Sequence, residues 1–384
     1  MKINIIGGGP AGLYFAILMK RADPAHAITV YERNGPDDTF GWGVVFSGKT
    51  LAHLKKADDV SHQRITAAFA AWDNVDVVHR DQKITVRGNS FSGIGRLQLL
   101  KILQDRSAEL GVKLNFKTEI SDVDTLARES DLLLGADGVN STVREKYKEH
   151  FQPTLESRPN KYIWYGTNQL FHGLTLTFRE KDGGVFAAHS YKFNQNTSTF
   201  IVECDEQTWT KLGFAGMNED QTRSLLETVF ANDLSGQPLL SNNSKWINFL
   251  NVKNAQWSQG NVVLLGDALH TAHFSIGSGT KLALEDAIAL KERFDHSAEV
   301  RTALAEFERV RKPVIEEYQA AALESCVWFE NARQYMHLSP LELAYAIMTR
   351  SGRVHEESLR RRDPSFIAAY EEEVSHQDAK HVKD

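Results

Sequence analysis

The sequence predicts an α/β fold with an α+β insert: a Rossmann-like domain, an interleaved antiparallel β-sheet domain, and C-terminal helices. Three observations predict it. The chain opens on an apolar strand, Lys2-Ile3-Asn4-Ile5-Ile6, then the turn Gly7-Gly8-Gly9-Pro10-Ala11-Gly12, then an apolar helix from Leu13. A second apolar strand, Ala27-Ile28-Thr29-Val30-Tyr31, ends in Glu32. A β-rich texture from about 160 to 252 separates this beginning from a later return of strand-then-helix patterning.

The opening turn has the form G-x-G-x-x-G. Gly7 suits the tight turn, Gly9 the approach of a pyrophosphate, and Gly12 close helix–strand packing. A pyrophosphate would sit at the helix N-terminus, where free N–H groups and the helix dipole favour anions. Glu32 falls about 20 residues after Gly12, the spacing at which a carboxylate meets a ribose. The order strand, helix, strand, acid therefore implies a bound dinucleotide.

Bulk properties narrow the class. A chain of 384 residues suits two joined domains, and 42% hydrophobic with 24% charged residues is ordinary globular composition. A net charge of −6 argues against nucleic acid, and Arg360-Arg361-Arg362 is flanked by Glu356, Glu357 and Asp363. Cys204 and Cys326 provide no disulfide framework. With the first strand starting at residue 2, no signal peptide is expected, and no apolar run reaches membrane-span length. The expected location is the cytoplasm.

Along the chain, Phe40-Gly41-Trp42-Gly43-Val44-Val45-Phe46-Ser47 reads either as a buried turn with large side chains or as a wall around a flat ring. Residues 51–73 read as helical, and 75–79 and 83–87 as strands. Arg96 opens a periodic helix over 97–110, where a cation gains nothing from the helix dipole; an anionic partner or a surface ion pair would explain it. The strand 131–134 runs into Gly135-Ala136-Asp137-Gly138 before a Ser/Thr-capped helix. In the β block, 174–179, 185–192 and 197–204 read as strands, with Lys181-Asp182-Gly183-Gly184 as a hairpin turn. The strand 261–265 leads into Gly266-Asp267-Ala268-Leu269-His270, then Ile276-Gly277-Ser278-Gly279-Thr280 and a helix over 281–293. Residues 299–335 read as helix broken near Pro313, before a further helix and a charged tail, 371–384, expected to fray. The expected division is 1–75, 93–158 and 255–298 for the nucleotide domain. The β-rich substrate domain takes 76–92 and 159–254, and the C-terminal helices and tail take 299–384.

Three strand-end motifs, GGGPAG with Glu32, GADG and GDALH…IGSGT, stand in an order that resembles the p-hydroxybenzoate hydroxylase type of FAD-dependent monooxygenases. The resemblance implies FAD, cradled by Gly7, Gly9, Pro10, Ala11 and Gly12. It implies Glu32 at the adenosine ribose with Arg33 beside it, Val45 near the cofactor, and Arg96 at its phosphates or ribityl chain. Asp137 and Gly138 would serve FAD and the nicotinamide cofactor; Gly266, Asp267 and Ala268 would meet the ribityl hydroxyls. The helix after Gly277, Gly279 and Thr280 would aim its N-terminus at the flavin's pyrimidine edge. The chain departs from the family where His273 and Phe274 replace the expected proline and Lys281 the expected asparagine. His270 and His273 form an H-x-x-H, but no clear third ligand accompanies them, so no metal is expected.

Within that family, the 40–47 stretch, Gly93-Ile94-Gly95-Arg96, the 273–281 stretch and Met336-His337-Leu338 are similar to the aryl-CoA hydroxylases acting on salicyloyl- and anthraniloyl-CoA. Residues 160–167 and 198–204 are equally similar to the violacein-pathway hydroxylase, which acts on a tryptophan-derived intermediate. The implied reaction is aromatic hydroxylation with NADH or NADPH and O₂ through a flavin C4a-hydroperoxide. The alternatives are an indolic substrate or a reductase or oxidase without oxygen insertion. His273 or His189 would act as base, although His189 also reads as a satisfied β-sheet histidine. Phe46, Tyr165, Lys192 and Phe274 would contact substrate. Arg158, Lys161, Arg179 and Lys192 are the cations available for a CoA thioester, and a homodimer is possible on this reading.

Overall fold

The computed structural model describes the backbone of residues 1–381 and the side chains of residues 1–376. Its first sheet is built around Lys2–Ile6, which pairs in parallel with Ala27–Tyr31 on one side and Leu132–Gly135 on the other. Lys113–Asn115 extends one flank and Val262–Leu264 the other, both parallel, and Ser258–Gln259 adds an antiparallel edge. Helices cover both faces of such a sheet, so its central strands are mainly apolar: Ile3, Ile5, Leu132, Leu133, Leu134 and Val263 are fully buried. The register brings Tyr31, Ile6, Gly135 and Leu264 to one edge. All three glycine motifs therefore begin at the carboxyl ends of neighbouring strands, where open α/β sheets bind ligands.

The second sheet runs in the order Leu239–Leu240, Pro153–Thr167, Ser198–Cys204, Gly184–Lys192, Leu174–Lys181, Ala70–His79, Gln82–Gly95, Gly43–Ser47. Ile247–Asn254 also pairs with Pro153–Thr167. Neighbours are antiparallel except Ala70–His79 against Leu174–Lys181. The hairpin turn at 181–184 places Asp182 and Gly183 at positive φ, as a tight two-residue turn requires. Side-chain alternation divides the sheet. Ile163, Tyr165, Phe186, Phe200 and Val202 form a core with Leu226 and Phe230 on one face. On the other, Leu176, Phe178 and Ala187 pack against Trp328 and Phe329 of the long helix Val300–Glu330.

Three sequence expectations need correction. Residues 51–73 are not one helical stretch: helices Gly48–Ala57 and Asp59–Ala67 give way to a strand that starts at Ala70. Trp72 is the reason, since a buried aromatic stacked on Tyr191 at 5.7 Å fits a pleated surface. The helix Val300–Glu330 continues through Pro313. The carbonyl orphaned by proline is that of Arg309, an exposed residue, so water can satisfy it. The segment expected to fray is helical to His381, within Pro364–His381; residues 382–384 lie outside the described residues. Among the described residues no helix is long and apolar enough to cross a membrane.

Candidate active site

Gly7 has φ +109°, and a Cβ there would lie 2.1 Å from the Ala136 carbonyl oxygen, so only glycine lets the first and second motifs meet. Gly9 differs: its backbone is ordinary extended, and a Cβ would meet nothing within 4 Å. The space over Gly9 lies directly at the start of helix Pro10–Ala22, which has no side-chain cap. Glu32 closes the other side, accepting hydrogen bonds from Gly8 N at 2.7 Å and Asn34 N at 2.8 Å; Arg33 beside it is exposed. Gly266, at φ +62°, brings the third motif against Ala11, where an added Cβ would approach the Ala11 methyl to 3.0 Å.

Two charges face this cradle. Arg96 starts helix Arg96–Glu109, its N–H held by the Trp42 carbonyl at 2.7 Å, and its guanidinium forms no ion pair among the described residues. Asp267 lies deep in the cleft yet is reached by solvent; burial raises its carboxyl, opposed by the charge of Arg96. Helix Gly279–His296 likewise has no side-chain cap, and a Cβ on Gly279 would meet nothing within 4 Å. Val45 faces Gly277. Lys281 points from this helix to Tyr318, donating to its hydroxyl at 2.6 Å.

A second cluster adjoins the cleft. Tyr162, His189 and Glu203 stand on one face of the second sheet, and the loop holding His273 and Phe274 packs against them. The Phe274 ring lies 4.7 Å from Tyr162, 5.3 Å from His189 and 4.2 Å from His273, centroid to centroid. Phe249 and Phe329 complete an apolar wall. Buried Glu203 accepts hydrogen bonds from Asn160 Nδ2 at 2.8 Å and His189 Nε2 at 3.2 Å. Burial pushes Glu203 up, but the bonds and the two histidines hold it below the usual carboxylate range. Burial drives His273 down to about 4, so its ring is neutral. Its Nδ1 accepts from the Ser275 N–H and contacts the Ser275 hydroxyl at 2.8 Å, while Arg350 donates to the Ser275 carbonyl and to Ser325. Tyr162 joins cluster and cleft: burial, then Asp267 and Glu203, push its hydroxyl up to about 12.

Comparison with known proteins decides the family. The model of the FAD binding domain family matches residues 1–322. The chain is 40% identical to salicyloyl-CoA 5-hydroxylase of a Streptomyces species, covering 96% of this chain and 72% of that protein. The chain belongs to the p-hydroxybenzoate hydroxylase type of FAD-dependent monooxygenases. It is also 35% identical to protodeoxyviolaceinate monooxygenase of Chromobacterium violaceum, over 91% of this chain and 94% of that one. Among solved structures, a tetrameric form of 2-methyl-3-hydroxypyridine-5-carboxylic acid oxygenase shares the fold, with a TM-score of 0.70 at 17% identity over 94% and 97% of the two chains.

The residues of this monooxygenase fit FAD. The open space at Gly9, Gly138 and Gly279, two uncapped helix starts and an unpaired Arg96 make a cradle with donors for an anionic dinucleotide. Pro10, Ala11 and Gly12 form the first helical turn, Ala268 is a buried member of the third motif, and Thr280 lies in the first turn of helix Gly279–His296. Asp137 departs from the expectation: its carboxylate is taken up capping helix Thr142–Lys146, accepting from Thr142 N at 2.7 Å and Ser141 Oγ at 2.5 Å. His270 is bonded to Asp286 at 2.7 Å, and Asp286 to Arg311 at 2.8 Å, a buried chain tying the third motif to the long helix. Among the described residues no three His, Cys, Asp or Glu side chains are grouped to hold a metal.

The substrate expectations need correction. Phe46 packs in the first core against Phe69, and Tyr165 lies in the core on the far face of the second sheet. In a strand, odd and even positions face opposite ways, so Tyr162 meets the site and Tyr165 does not. The same alternation places Lys192 on the face opposite His189. The other cations do not converge either. Arg158 is paired with Glu330 and Glu156, Arg179 with Asp233 and Asp81, and Lys161 contacts Asn248 and the Trp209 ring. Phe274, His189 and His273 do come together. Tyr162, Glu203, Asn160, Phe249 and Arg350 were not foreseen. Glu203 had one signal in the sequence, a lone carboxylate inside the apolar strand Ser198–Cys204.

Proposed function

We propose that this monooxygenase hydroxylates an aromatic ring carried as a CoA thioester, taking electrons from NADH or NADPH and oxygen from O₂. Bound FAD supplies the redox chemistry and oxygen activation; the chain supplies binding, orientation and proton handling. The observation that carries the reading is the apolar cluster of Phe274, Phe249 and Tyr162 beside the cofactor cleft, with polar atoms of His189, His273 and Glu203 among the rings. Flat apolar walls hold an arene and exclude water, while the histidines address its hydroxyl or amine.

Gly7, Gly9, Gly12, Glu32, Arg96 and Asp267 hold the dinucleotide in this account, and Gly138 leaves room for the nicotinamide donor. Lys281 adds positive charge beside the uncapped helix at the flavin's expected pyrimidine end. The CoA ester is favoured by the 40% identity to salicyloyl-CoA 5-hydroxylase. The second reading, an indolic intermediate, is favoured by the 35% identity to protodeoxyviolaceinate monooxygenase. NAD(P)H oxidation with salicyloyl-CoA, anthraniloyl-CoA, free salicylate and tryptophan derivatives, read with product mass, separates them. Coupled hydroxylation of a CoA ester supports the proposal; coupled turnover confined to the indolic compounds replaces it.

A further inference from the structure

Glu203 is a carboxylate with 2% exposure at the centre of a sheet, and burying such a charge is costly unless it is bonded. It belongs to no arginine or lysine pair among the described residues; its partners are Asn160 and His189. A carboxylate only accepts hydrogen bonds, so His189 donates through Nε2, and in its neutral form the lone pair lies on Nδ1. Nδ1 has no protein partner among the described residues and is not among their sealed-off polar atoms. His273 is set the opposite way. The Ser275 N–H donates to its Nδ1, so the His273 proton sits on Nε2, also without a protein partner. The two rings, an acceptor and a donor, flank Phe274.

We propose that Glu203 and His189 form a dyad that accepts the proton of the substrate's ring hydroxyl, with Glu203 as the positioning residue. The assignment rests on the aromatic-hydroxylase reading. In the step, the substrate O–H bond breaks, an Nδ1–H bond forms, and the electron pair stays on oxygen, enriching the ring for electrophilic oxygen transfer. The imidazolium is stabilised by the Glu203 carboxylate, and its proton returns to product or solvent after hydroxylation.

The surrounding groups leave this role open to His189. Strand Pro153–Thr167 contributes Tyr162, whose hydroxyl is pushed up, and Arg158, ion-paired with Glu330 of the long helix. That helix also contributes Cys326, pushed up by burial, and the C-terminal region contributes Arg350, which donates to Ser325 and to the Ser275 and Ile347 carbonyls and lies over the Phe329 ring. His273 on the loop is neutral and directed as a donor.

The test uses FAD-loaded protein. Salicyloyl-CoA is bound without reductant, and phenolate absorbance is followed against pH in wild type, Glu203→Gln and Glu203→Asp. Glu203→Gln keeps the size and the Asn160 contact. The dyad predicts that it raises the apparent pKa of the bound phenol and lowers kcat roughly a hundredfold with little change in KM. Glu203→Asp restores part of both, and Glu203→Gln has no further effect in a His189→Asn background. The O-methylated ester, with no proton to lose, is turned over equally by wild type and Glu203→Gln. An unchanged phenol pKa in Glu203→Gln overturns the dyad, as does an equal loss on phenol and methyl ether. A protein that lowers the pKa of the bound phenol through Glu203 yet forms no hydroxylated product supports the dyad and overturns the functional reading instead.

Discussion

The charge of Arg96 opposes the upward push of burial on the Asp267 carboxyl, yet the two side chains form no ion pair among the described residues. An unpaired cation and an unpaired carboxylate facing one cleft are costly to keep without a ligand. Their separation leaves both free for a ligand that is anionic at one end and hydroxylated at the other, as FAD is at its pyrophosphate and ribityl chain. Arg96→Met is expected to weaken FAD retention by about 1.5–3 kcal/mol, roughly ten- to a hundredfold in Kd. Flavin absorbance after gel filtration at several salt concentrations measures it; full FAD content in the variant contradicts the assignment.

The two glycines of the first turn separate folding from binding. Gly7→Ala forces a methyl into the Ala136 carbonyl at positive φ and lowers the melting temperature of the apoprotein, with a cost of about 1–3 kcal/mol. Gly9→Ala meets no protein atom, so the apoprotein keeps its melting temperature while FAD affinity falls roughly tenfold or more. Equal thermal loss in both variants would remove the reading of Gly9 as a cofactor contact.

Asp286 is bonded to both His270 and Arg311 with no solvent access. Removing Asp286 leaves buried His270 without its carboxylate and Arg311 with the longer contacts to Glu285 and the Leu282 carbonyl. Asp286→Ala is therefore expected to cost about 3–5 kcal/mol in stability. Chemical denaturation checks this, and a loss below 1 kcal/mol would show that the chain of bonds is incidental.

His273 makes stability depend on pH. Its folded pKa of about 4 lies below the ordinary histidine value of 6.5, so the unfolded chain binds more protons between these values. Stability from this residue is complete above about 6.5 and is lost as pH falls toward 4, by about 3 kcal/mol at most. His273→Phe should flatten the fall in melting temperature over that window. An unchanged profile would place the dependence on another group.

The sequence disclosed the cofactor side of the molecule far better than the substrate side. Gly7, Gly9, Gly12, Glu32 and Arg96 are local features, each tied to a strand end or a helix start within a few residues. Substrate contacts depend on which face of a strand a side chain takes. Tyr165 looks as suitable as Tyr162 in the sequence, because a run of apolar residues hides the alternation when both faces are covered. Glu203 and His189 are neighbours only through strand pairing, His189 opposite Ile201 and Glu203 opposite Ala187. Charge pairing between distant residues is equally hidden in the sequence. Distant carboxylates, Glu330 and Asp233, occupy Arg158 and Arg179 in the fold.

The central claim, oxygen insertion into a CoA-bound arene, is tested most directly by turnover under isotopically labelled dioxygen. Purified FAD-loaded protein, NADH or NADPH and salicyloyl-CoA should yield a product heavier by one labelled oxygen atom, in proportion to the nucleotide oxidised. A product without label, or nucleotide oxidation that ends entirely in hydrogen peroxide with every aryl-CoA tried, would contradict it.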